Sequence, residues 1–72
     1  MIEDDEPKIY HSRHGFRIYL RKSEEYGKLV YLTKDGEEVH CKQEIAVARY
    51  SMTREEADAA IVIYKGENWD DH

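Results

Sequence analysis

Gly15-Phe16-Arg17-Ile18-Tyr19-Leu20-Arg21 alternates apolar residues with residues that carry a polar end, without a break. A strand through it sends Phe16, Ile18 and Leu20 to one side and Arg17, Tyr19 and Arg21 to the other, whereas a helix would scatter both sets around its circumference. The stretch therefore commits the chain to a sheet with one buried face. Working downstream, residues 23–27 form a polar break that ends in Gly27, and residues 28–34 read as a second strand. Asp35-Gly36 follows directly. Between two strand-like runs this dipeptide predicts a two-residue type I′ turn, with residues 37–42 returning antiparallel. Lys34 then faces Glu37, and the next pairs are Thr33 with Glu38, Leu32 with Val39, Tyr31 with His40, and Val30 with Cys41. In that register Val30, Leu32, Val39 and Cys41 share the inward face. Upstream, residues 8–12 read as a short edge strand.

Thr53-Arg54-Glu55-Glu56 is a capping box, in which the threonine hydroxyl accepts the amide of Glu56 and the Glu56 carboxylate reaches back to the threonine amide. A helix is expected from there, burying Ala57, Ala60, Ile61 and Tyr64 at the i, i+3, i+4, i+7 spacing and ending at Lys65-Gly66. The β-branched content of residues 60–64 makes a strand the competing reading. Residues 44–50 alternate Ile45 and Val47 with Ala46 and Ala48. They read as a strand following a bulge, with a helix, favoured by the alanines and Glu44, as the alternative. The fold class is α+β: a small antiparallel sheet of three to four strands with one C-terminal helix packed on one face. Residues 1–7 are expected to be a flexible acidic arm, 8–66 a single α+β domain and 67–72 an acidic tail.

At 72 residues there is room for one small core and not for two. Eleven Lys and Arg against 16 Asp and Glu give a net charge of −5, but the acids cluster at the ends. Removing Glu3, Asp4, Asp5, Glu6, Glu67, Asp70 and Asp71 leaves nine acids against 11 bases, so the body carries +2. The arms read as solvated termini, or as anionic segments that touch the chain's own arginines or imitate nucleic-acid phosphates, with Trp69 able to pin the second. The longest apolar run is six residues, 59–64, far short of the roughly 20 that span a bilayer, so no membrane contact is expected. A lone cysteine forms no internal disulfide and suits a reducing, cytoplasmic setting.

Four zinc-competent side chains exist in His11, His14, His40 and Cys41, but adjacent strand residues His40 and Cys41 point to opposite faces. Neither a metal nor another cofactor is expected. Ser12, Ser23 and Ser51 sit in no nucleophile motif, the acids lie on termini, turns and the helix start, and the four glycines are too dispersed to cradle a phosphate. The expectation is a protein that is not an enzyme.

The face opposite Phe16, Ile18 and Leu20 carries more information. It gathers Arg17, Tyr19, Arg21, Tyr31, His40 and Lys42, with Leu29 as an apolar residue that no second helix covers. Six tyrosines against one phenylalanine favour the aromatic that is apolar on its body and polar at its tip, and Tyr with Arg dominates interface hot spots. Those six residues are the expected partner-binding set. A protein partner is expected first, with a second copy of the chain as one form of it. The function anticipated is that of a small, non-catalytic, acidic binding protein, with an inhibitor or regulator of a nucleic-acid-handling protein, of the phage or mobile-element type, as the example that size and charge suggest. The alternative is single-stranded nucleic acid stacked on Tyr19, Tyr31 or His40, with Arg17, Arg21 and Lys42 on phosphates. On this reading Tyr31→Ala and Arg17→Glu weaken binding and leave folding intact.

Overall fold

The computed structural model describes residues 6–68. Strands β1 (Lys8–Ser12), β2 (Gly15–Lys22), β3 (Leu29–Leu32) and β4 (Glu38–Cys41) form one antiparallel sheet in the order β1-β2-β3-β4. Helices α1 (Gln43–Arg49) and α2 (Arg54–Asn68) follow. The fold is α+β, with the expected edge strand and C-terminal helix and one helix more than expected. The acidic residues before Glu6, and the tail with Trp69, lie outside the described residues. No helix among the described residues is long and apolar enough to cross a membrane.

Helix α2 begins as its sequence dictates. The Thr53 amide donates to Glu56 Oε1 at 3.0 Å and the Glu56 amide donates to Thr53 Oγ1 at 3.1 Å, closing the capping box from both sides. Ala57, Ala60 and Tyr64 are buried and Ile61 is half-buried against the sheet, so residues 60–64 are helical and not a strand. The helix runs past Lys65-Gly66 to Asn68, because Gly66 keeps a negative φ instead of the left-handed conformation that closes a helix. Against this stripe pack Ile18, Leu20, Val30 and Leu32, all 0–2% exposed. Each stabilises the fold by about 1.5–3 kcal/mol of apolar burial.

Residues 44–49 are helical, within α1, and not the strand expected of residues 44–50. Glu44 in its first turn and Arg49 in its last suit the helix dipole, the alanines favour helix, and the Ser51 hydroxyl donates to the Val47 carbonyl at 2.7 Å past its end. The chain then returns to the sheet, where Met52 and Phe16 exchange backbone hydrogen bonds of 2.8 and 2.9 Å. Met52 thus takes the ladder position beyond the end of β3 and leads directly into the capping box.

The β3–β4 turn departs from the expected type I′ geometry, and the register moves with it. The observed pairs are Leu32 with Glu38, Tyr31 with Val39, Val30 with His40 and Leu29 with Cys41, one residue away from the expected set. Thr33 is responsible. Its amide donates to the Glu37 carbonyl at 2.8 Å, its carbonyl accepts the Gly36 amide at 2.9 Å, and its hydroxyl accepts the amides of Asp35 and Glu37. Only Gly36 has a positive φ, +84°, so the loop is a type I turn closed by a left-handed glycine. A one-residue slip exchanges faces. Glu38 and His40 therefore share the α2 side with Leu32 and Val30, while Val39 and Cys41 join Tyr31 and Leu29 on the other.

A second irregularity lies in β2. Tyr19 pairs with Tyr31 but Arg21 pairs with Val30, so Leu20 and Arg21 together oppose one residue in a β-bulge. The bulge turns Arg21 to the α2 side.

Candidate functional site

The sheet face away from α2 is built by register. Lys8, Tyr19, Tyr31 and Val39 lie in one row across all four strands, with Tyr10 and Arg17 in the row beside it. Tyr31 at 2% exposure and Ala46 at 0% are buried, yet neither belongs to the core under α2. Gln43, the first residue of α1, lines a concavity of about 310 Å³ with Tyr10, Arg17, Tyr19, Leu29 and Tyr31. Helix α1 therefore lies over this second face, and Leu29 is half-buried beside it instead of standing uncovered.

Within the concavity the side chains form a continuous chain of contacts. Tyr19 packs edge-on to Tyr31, with ring centroids 5.8 Å apart, and tilts against Tyr10 at 6.0 Å. The Arg17 guanidinium sits 5.5 Å from the Tyr10 ring centroid, in cation–π range. Burial pushes the Tyr31 hydroxyl above the ordinary tyrosine pKa, and the nearby Arg17 guanidinium partly offsets the shift. Arg17 Nε is buried without a hydrogen-bond partner among the described residues. A half-buried cation thus lies against the Tyr10 ring and near Tyr31, with one donor unmatched among the described residues.

Of the six expected partner-binding residues, Arg17, Tyr19 and Tyr31 meet in this concavity. Arg21 and His40 do not. Arg21 is bound to Glu38 on the α2 side, with Nη2 to Oε1 at 2.9 Å and Nη1 to Oε2 at 3.3 Å, and His40 Nδ1 is 2.7 Å from Ser23 Oγ. The bulge in β2 and the turn at Thr33 moved them. Lys42 is exposed at the N-cap of α1 and lines a neighbouring concavity with His14, Glu44 and Val47. Cys41, expected inside beside Val30, lies opposite Leu29 and is half-buried, and burial raises its thiol pKa. Tyr31 is a buried wall residue and not an exposed ring.

Tyr10 and Gln43 belong to the site and escaped the sequence reading. Pairing residues 8–12 with β2 through a two-residue turn at Arg13-His14 would have set Tyr10 opposite Arg17, as observed. Gln43 had no such signal, because its place depends on a helix that the alternation of residues 45–48 concealed. His11 stacks on Phe16 with centroids 4.4 Å apart, and among the described residues no three His, Cys, Asp or Glu side chains are grouped to hold a metal ion.

No protein-family model matches the chain, and no curated protein or solved structure is significantly similar to it. The functional reading rests on this geometry.

Proposed function

We propose that the chain is a non-catalytic binding protein that engages another protein through the groove of Tyr10, Arg17, Tyr19 and Gln43, floored by Leu29 and Tyr31. One observation carries the reading. The concavity combines three tyrosines and a half-buried arginine with no carboxylate partner among the described residues, whereas Arg21 and Arg54 are paired with Glu38 and Asp58. Tyrosines grouped around a half-buried arginine are the composition of an interface hot spot. Action as an inhibitor or regulator, in a reducing cytoplasm that suits the free Cys41, is the role proposed for this groove.

Single-stranded nucleic acid is the weaker reading. Base stacking needs open ring faces, and of the three residues that would have supplied them Tyr31 is buried and His40 stands on the opposite side of the sheet. Affinity capture from a lysate of the source organism, with and without nuclease, tests the assignment. Retention of one protein after nuclease, lost when the bait carries Tyr19→Ala, supports the groove. Nuclease-sensitive capture, or capture indifferent to Tyr19→Ala, overturns it.

A further inference from the structure

Resting on the groove as the binding surface, we propose that its occupant is a carboxylate-bearing segment of a partner protein, with one Asp or Glu side chain held by Arg17. The small concavity is complementary in charge to a single anion. Among the described residues Arg17 is the only ionised side chain lining it, the others being Tyr10, Tyr19, Leu29, Tyr31 and Gln43. A half-buried guanidinium normally finds an anion, and leaving one unmatched costs more the less water reaches it. Among the described residues Arg17 has no carboxylate against it. Its guanidinium lies 5.5 Å from the Tyr10 ring centroid, and Nε has no acceptor among the described residues. An arginine immobilised before its ligand arrives loses little entropy on binding, which is the arrangement that favours a carboxylate.

A protein carboxylate suits the site better than a phosphate chain. One cation matches one negative charge, whereas a nucleic acid requires several cations along a track, and the net charge of −5 repels a polyanion far more than a single carboxylate. Leu29 and the ring of Tyr19 offer apolar surface to the residue next to the acid. The Gln43 amide, at the mouth shared with the two adjoining concavities, both donates and accepts and so suits a peptide backbone.

The test is an NMR titration of the full chain with three probes: a blocked hexapeptide alternating leucine and glutamate, its leucine–glutamine counterpart, and hexathymidylate. The glutamate peptide is expected to shift the Arg17 Nε–H and Tyr19 signals and to bind about tenfold more tightly than the glutamine peptide, a preference that Arg17→Gln removes. Equal binding of the two peptides overturns the proposal, and so does preferential binding of hexathymidylate at the same signals. Should the glutamate peptide fail while Tyr19→Ala still abolishes capture of the partner, the carboxylate assignment falls and the groove stands. Failure of both removes the groove as well.

Discussion

Arg21 and Glu38 meet in a two-pronged ion pair, 2.9 and 3.3 Å, on the side of the sheet that α2 covers. A regular β2 and a two-residue turn would have put both residues on the opposite face, and each reaches the other only because one irregularity shifts its strand. Tyr64, at the far end of the α2 stripe, helps to lower the pKa of the same carboxylate. The pair thus ties β2, β4 and α2 together while removing Arg21 from the groove.

The Arg21–Glu38 contact makes part of the stability depend on acid. The hydrogen bonds from Arg21 hold the Glu38 carboxyl below its usual range, and its burial opposes them. A carboxyl depressed in the folded state contributes stability that is fully present above its unfolded value near 4.5 and is lost as pH falls through the lower folded value. Both side chains are about one-third exposed, at 37% and 32%, so Glu38→Gln is expected to cost about 0.5–1 kcal/mol at pH 7. Melting curves of the two proteins are expected to converge as the pH is lowered from 5 toward 3.

Gly36→Ala strains the turn twice. The residue sits at φ +84°, and a Cβ there would lie 2.7 Å from Ile63 Cγ2 on α2. The substitution is expected to destabilise by about 1–3 kcal/mol, and Gly36→Ala combined with Ile63→Ala to recover the packing part but not the backbone part. Additive losses in urea unfolding would contradict the contact.

Thr53→Ala removes one arm of the capping box. A loss of about 0.5–2 kcal/mol is expected, measured by urea unfolding, with Thr53→Ser retaining most of the stability.

Tyr31→Ala is expected to destabilise by about 3–5 kcal/mol, since Tyr31 is 2% exposed between the sheet and α1. This reverses the sequence-based expectation of an intact fold. Tyr10→Ala, at a residue 45% exposed, is expected to leave the melting temperature nearly unchanged. A mild effect of Tyr31→Ala would contradict the placement of α1.

Local signals made much of the fold legible. The alternation of residues 15–21 found β2, and Thr53 with Glu56 marked the start of α2, because alternation and capping act within a few residues. The register was not legible, because Asp35-Gly36 serves two turn types and the choice falls to the hydroxyl and amide of Thr33. Nor was α1, where Ile45 and Val47 mimic a strand and the burial that decides the matter comes from Ala46 on a distant sheet face. Both gaps struck the candidate site. Arg17 and Tyr19 were found from β2 alone, whereas Arg21 and His40 were displaced by the bulge and the turn, and Tyr31 was covered by a helix not anticipated.

A protein partner is proposed to bind where Arg17 lies against Tyr10 in the groove that Tyr31 also lines. Capture of the partner from nuclease-treated lysate by the unaltered chain, by Arg17→Glu and by Lys34→Glu compares one charge reversal inside the groove with an equal reversal on the exposed β3–β4 turn. Loss of capture of about tenfold or more with Arg17→Glu, against a change within about twofold for Lys34→Glu, is the predicted result. Equal effects of the two reversals, with both proteins folded, would show that the groove is not the binding site.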